Sequence, residues 1–177
     1  KNRDPLPADY WDNLVPDPGG LALKFLLEER EEGWPGRFWD TSAVVPAVVR
    51  ELGTEAVARL HRDDPDVCVW WATRTECLSA VARLVREGHL SEMEAISTHS
   101  NLAQMFAGFE EIAPAESIRV RAGRLLAVHP LRAADASQLA AASAWAREEP
   151  VGRELVSLDR RLREAGQKEG FTILPAV

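Results

Sequence analysis

An α/β domain, with a parallel sheet of four to five strands and helices on both faces, is the fold class this sequence predicts. Three observations predict it. From Arg37 to the C-terminus, short apolar runs alternate with helical patterns, and a strand-helix-strand order calls for crossover connections and therefore a parallel sheet. The run Val67-Cys-Val-Trp-Trp71 is apolar without alternation, the mark of a strand covered on both faces. Two runs, Arg37-Phe-Trp-Asp40 and Glu154-Leu-Val-Ser-Leu-Asp159, end on an acid, which suits strand ends at the mouth of a site rather than positions inside a sheet.

Taken in order, Arg37–Asp40 is the first strand, and Ser42–Glu51 and Thr54–Arg62 are two helices broken at Gly53, with Thr54 as N-cap. Asp63-Asp64-Pro65-Asp66 is a turn into the second strand, Val67–Trp71, which belongs in the sheet's interior. Leu78, Val81, Ala82, Leu84 and Val85 keep helical spacing from Thr73 to Glu87, and Gly88 stops that helix. A long helix follows from Ser91 to about Phe109. Glu111-Ile-Ala-Pro114 is a short edge strand, because Pro removes a ladder donor. Glu116–Val128 is helical, and Ala133–Glu148 is small and apolar on most sides, suited to a helix packed tightly on the sheet. Asp159 can cap a helix over Arg160–Glu169, and Phe171–Pro175 closes the sheet.

Residues 1–36 have a different character. They hold nine of the chain's 22 Pro and Gly residues and cannot build their own core. Asp4-Pro-Leu-Pro-Ala-Asp-Tyr-Trp11 reads as an extended segment carrying separate apolar anchors. Leu21–Glu32 reads as a helix whose first turns are apolar nearly all round and whose last turns carry Glu28, Glu29, Glu31 and Glu32, the wrong sign for a helix C-terminus. Such a segment is a docking peptide in search of a surface, joined through Gly33-Trp-Pro-Gly36 to a domain over residues 37–177. The chain begins on Lys1 rather than Met, as a trimmed product or part of a longer one does.

Composition sets further bounds. The net charge of −7 argues against duplex binding through a broadly basic surface, so no direct DNA binding is expected and any nucleic-acid contact must be local. From Arg37 onward 16 of 17 basic residues are Arg, the better phosphate fork, although a GC-rich genome gives the same bias. No run approaches the roughly 18 apolar residues of a membrane span, and no basic-then-apolar leader opens the chain. Cys68 and Cys77 match no metal or redox spacing and read as buried small hydrophobes; together these features suit a soluble, cytoplasmic protein. His61, His89, His99 and His129 show no paired metal spacing.

The chemistry lies in the acids. Asp40 and Asp159 end strands, while Glu76 and Asp135 open helices that should start at the same sheet edge. Any one of them alone is as well read as a solvated cap; the ordered set carries the weight. Four carboxylates brought together need a cation, and hard oxygen ligands left partly hydrated are what Mg²⁺ or Mn²⁺ prefers. Such a site activates water and neutralises a phosphodiester.

On these residues, the chain from Arg37 onward resembles a PIN domain, most closely the VapC-type ribonuclease toxins of bacterial toxin–antitoxin pairs. Asp40-Thr-Ser-Ala is similar to the family's first acidic motif, Glu76 to its helix-borne glutamate, Arg132-Ala-Ala-Asp135-Ala to its third acid and Ser157-Leu-Asp159 to its fourth. The resemblance implies a PIN-like fold, Mg²⁺ or Mn²⁺ held by Asp40, Glu76, Asp135 and Asp159 with Ser42 or Ser157 as supporting hydroxyls, an RNA substrate, a homodimer and inhibition by an antitoxin. The front segment resembles the toxin-binding C-terminal tail of a VapB or Phd-like antitoxin, with Arg3, Lys24 and Arg30 as candidate cations for the acids; the antitoxin DNA-binding domain has no counterpart here.

Other readings stand beside this one. A haloacid-dehalogenase-type phosphatase would also use Asp40 but resembles Asp-x-Asp, where this chain has Ser42. A receiver domain needs a Lys where Leu174-Pro175 stands, and a non-catalytic binding module would keep the fold without needing metal. Arg132, Arg160 and Arg161 flank the acids and are candidates for phosphate contact or for a solvated face.

Overall fold

The computed structural model describes residues 36–51 and 53–176. These belong to the second of two units into which the chain divides, residues 1–33 and 34–177. The expected N-terminal segment and helix, with Arg3, Lys24 and Arg30, lie outside the described residues.

Five parallel strands form one sheet in the order β3-β2-β1-β4-β5, with β1 Arg37–Trp39, β2 Val67–Trp70, β3 Glu110–Ile112, β4 Glu154–Val156 and β5 Thr172–Leu174. The strands are only three or four residues long, so the helices carry most of the burial. Neighbouring side chains along a strand point to opposite faces, and the core divides accordingly. Phe38, Cys68 and Leu155 join one apolar cluster with α5 (Glu116–Val128), α6 (Ala133–Trp145) and α7 (Arg160–Glu169). Trp39, Val67, Val69 and Val156 join the other with α1 (Thr41–Val44), α2 (Thr54–Asp63), α3 (Thr73–Arg86) and α4 (Glu92–Phe106). Helices therefore cover both faces, as the α/β fold expected from the sequence requires. Among the described residues, no helix is long and apolar enough to cross a membrane.

The connections explain where a site can form. From β1 the chain works outward through β2 to β3, keeping its helices on one face; it then crosses the sheet and lays β4 and β5 on the other side of β1. β1 and β4 are thus neighbours whose following helices leave to opposite faces. Such a switch point opens a crevice at the carboxyl ends of the strands.

Several elements differ from the sequence expectation, each for a local reason. The helix expected over Ser42–Glu51 is instead the single turn α1 followed by a 3₁₀ turn, Val45–Ala47. Pro46 lacks the N–H that would continue the α-helical ladder, and the β-branched Val48 and Val49 do not rescue it. Thr54 is not the cap of α2 but its first residue: Gly53 caps it at φ 96°, a left-handed conformation open to glycine, and Thr54 Oγ1 accepts instead from the Glu51 N–H at 2.9 Å. The helix expected to reach Glu148 ends at Trp145, beyond which Arg147 and Glu148 adopt positive φ. Ser91 begins α4 through a reciprocal capping box with Glu94. The short strand before Pro114 does lie at an edge.

Candidate functional site

Asp40 follows β1 directly and is 4% exposed. Its position at the switch point sets its surroundings. Ser42, the second residue of α1, donates its hydroxyl to Asp40 Oδ1 at 2.8 Å while accepting the N–H groups of Leu158 at 2.8 Å and Asp159 at 3.0 Å. One hydroxyl thereby ties the end of β1 to the end of β4. Ser157, fully buried, accepts the Asp159 N–H at 3.1 Å and lies 3.4 Å from Ser42, oxygen to oxygen. Both hydroxyls hold protein groups: Ser42 the Asp40 carboxyl and two N–H groups, Ser157 the Asp159 N–H.

Burial pushes the Asp40 carboxyl from its ordinary 3.8 up to about 7. Hydrogen bonds from Ser42 and Ser157 oppose the rise, and the charge of Asp159 adds the smallest contribution. Crowding of like charges is therefore secondary to desolvation here, contrary to what the sequence alone suggests. Arg163 feels the Asp40 charge, but its guanidinium is committed elsewhere: Nη1 donates to the Ser157 and Leu174 carbonyls at 2.6 and 3.1 Å, and Nη2 to that of Pro175 at 2.8 Å. It braces β4 against β5 rather than neutralising the acid.

Asp40, Glu76, Asp135 and Asp159 all line one cleft of about 660 Å³. They arrive from four elements. Asp159 caps α7, its Oδ1 accepting the Leu162 N–H at 2.9 Å, as its place before that helix predicts. Asp135 stands in the first turn of α6, where Oδ2 accepts the Arg132 N–H at 3.1 Å. Glu76, in the first turn of α3, accepts from the Thr41 hydroxyl and from Gln138 Nε2, the latter at 2.8 Å. Among the described residues, no three His, Cys, Asp or Glu side chains are gathered closely enough to form a metal site together. The donor chemistry nevertheless fits a hard divalent ion, because Mg²⁺ keeps several waters and needs only one or two direct carboxylates. A buried carboxyl with no cation bonded to it is also the group that such an ion would relieve.

Comparison with known proteins bears on the fold. No family model matches the chain, and no curated protein matches it. Among solved structures it is similar to the crystal structure of PAE2754 from Pyrobaculum aerophilum, at 18% identity and a TM-score of 0.50, over 78% of this chain and 89% of that one. At this identity the likeness concerns the architecture alone.

Four polar cleft residues escaped the sequence reading. Glu51 adds a fifth carboxylate, and Arg83, two turns beyond Glu76 on α3, is a cation on the same wall that makes no ion pair among the described residues. Thr41 and Gln138 complete the lining around Glu76. Two signals were available: Thr41 sits within the Asp40-Thr-Ser motif, and Gln138 is a lone amide in an otherwise small and apolar run, three residues beyond Asp135. Arg132, Arg160 and Arg161 do not line the cleft, and Arg160 faces Glu164 at 3.6 Å. Cys68 and Cys77 are buried, and burial lifts both thiols to about 12, so neither is a thiolate at neutral pH.

Proposed function

We propose that residues 37–177 are a metal-dependent endoribonuclease of the PIN type, similar to VapC toxins. The observation that carries this reading is one cleft receiving Asp40, Glu76, Asp135 and Asp159 at the carboxyl edge of a parallel sheet, with Asp40 buried and raised to about 7. These four acids would hold Mg²⁺ or Mn²⁺, which when bound supplies a water of lowered pKa and charge neutralisation for a phosphodiester. The chain's own residues do the rest. Ser42 keeps Asp40 oriented and joins the two strand ends, and Arg83 offers the cleft a guanidinium for a phosphate of single-stranded RNA.

The front segment, residues 1–36, acts in this reading as an antitoxin-like inhibitor that covers the acids or offers them Arg3, Lys24 or Arg30. The protein works in the cytoplasm as a homodimer; Met93 and Ile96, exposed one turn apart on α4, provide apolar surface for pairing. The test is cleavage of RNA with and without Mn²⁺, by the full chain and by a chain lacking residues 1–36.

A second reading has a specific observation in its favour. Because no three His, Cys, Asp or Glu side chains among the described residues stand close enough to hold a metal ion together, a non-catalytic binding module with the same fold is the alternative, and it predicts no effect of metal. A phosphatase-type hydrolase using Asp40 is weaker, since Ser42 stands at the second position of its motif and is engaged with Leu158 and Asp159.

A further inference from the structure

Gln138 is 2% exposed, yet it is an amide in the middle of a helix otherwise packed with alanines. Its Nε2 lies 2.9 Å from Thr41 Oγ1, 3.0 Å from Thr73 Oγ1 and 2.8 Å from Glu76 Oε2. An amide nitrogen has two hydrogens to give, so three acceptors compete for two donors in a buried space. The Thr41 hydroxyl, itself an acceptor from Gln138, donates to the same Glu76 Oε2. Gln138 belongs to the face that carries α5 to α7, whereas Thr41, Thr73 and Glu76 belong to helices of the opposite face. The amide therefore reaches across the carboxyl edge of the sheet and fixes α1, α3 and α6 to one oxygen. Glu76 Oε1 has no hydrogen bond among the described residues.

We propose that Gln138 and Thr41 form a clasp that positions Glu76, holding Oε2 so that Oε1 is presented to a divalent cation in the cleft. This inference rests on the metal-dependent reading above. Both groups of the clasp are neutral donors, so they hold Glu76 without adding a charge that would compete with the cation. Fixing one carboxylate oxygen also lowers the ordering cost of binding. Outer partners of this kind change metal affinity by about 10–100-fold when removed. Gln138 is a positioning residue in this account, acting only through Glu76.

The test is Mn²⁺ affinity of the full chain, measured by calorimetry on the wild type, Gln138→Met, Thr41→Val and Thr41→Ser, with melting curves recorded in metal-free buffer. The clasp predicts about tenfold weaker Mn²⁺ binding for Gln138→Met and Thr41→Val, and recovery to within about twofold for Thr41→Ser, which keeps the hydroxyl. A purely structural role would lower the melting temperature of Gln138→Met and leave its Mn²⁺ affinity unchanged. If Gln138→Met does not fold, the Thr41 pair decides: equal affinity for Val and Ser overturns the clasp. Wild type that binds Mn²⁺ beside variants that bind it equally well overturns the clasp alone, whereas wild type that binds none, both as the full chain and without residues 1–36, overturns the metal reading and the clasp with it.

Discussion

Asp40→Asn should stabilise the protein at neutral pH, and the structure sets the size and pH window of the effect. Asp40 is buried and its carboxyl is raised from 3.8 to about 7. Below about pH 4 the group is protonated in both the folded and unfolded states and costs nothing. Between about 4 and 7 the unfolded chain releases the proton and the folded protein keeps it, so stability falls as pH rises; above about 7 the full cost is present. A shift of this size corresponds to about 4 kcal/mol at most. At roughly 3 °C per kcal/mol for a domain of this length, the ceiling on the shift in melting temperature is about 12 °C. Asn keeps the carbonyl oxygen that accepts from Ser42 and cannot ionise. The difference in melting temperature, variant minus wild type, should therefore be near zero at pH 4 and grow through pH 7 in metal-free buffer. Adding Mn²⁺ at pH 8 should close the gap by raising the wild type alone. A variant that melts below the wild type at pH 8, with the same pH slope, would refute the reasoning.

Further outcomes follow from the same geometry. Mn²⁺ binding should weaken as pH falls below about 7, because Asp40 must give up its proton to ligate; calorimetry in two buffers of different ionisation heat reads the released proton directly. Ser42→Ala removes the hydroxyl that serves Asp40, Leu158 and Asp159, and should cost about 1–3 kcal/mol in denaturant unfolding while moving the Asp40 pKa further up. Gly166→Ala places a methyl 2.8 Å from Leu155 Cδ2 and 3.0 Å from Ile173 Cδ1, where α7 lies on β4 and β5, and should cost about 1–2 kcal/mol by overpacking. Deleting residues 1–32 should raise RNA cleavage, and tail peptide added back should lower it; equal rates in all three samples would sink the inhibitory reading.

The parts of the fold that were legible in the sequence are those set by local pattern. Val67–Trp70 reads as a doubly covered strand because every residue in it is apolar, and Asp40 and Asp159 read as strand-end acids because each closes such a run. Pro46 was legible in principle as a helix stop, since the missing N–H is a property of the residue itself. The clasp on Glu76 was not legible. Gln138 lies 62 residues from Glu76 and 97 from Thr41, and nothing in its local pattern says which helices will meet it at the sheet edge. The same holds for Arg163, whose hold on the Ser157, Leu174 and Pro175 carbonyls depends on β4 and β5 being neighbours. The basic residues were legible only in part. Arg132, Arg160 and Arg161 are near the acids in sequence, whereas Arg83 is near them in space because α3 runs along the cleft wall.

The proposed hydrolysis of RNA in the acid cleft depends on a divalent metal. Its most direct measurement is the rate of cleavage of a single-stranded RNA by the chain lacking residues 1–36, in Mn²⁺ and in EDTA, beside the same chain carrying Asp40→Asn. Cleavage that appears only with Mn²⁺ and is lost in a folded Asp40→Asn variant is the predicted result. Cleavage that survives EDTA, or that Asp40→Asn leaves unchanged, would contradict the account.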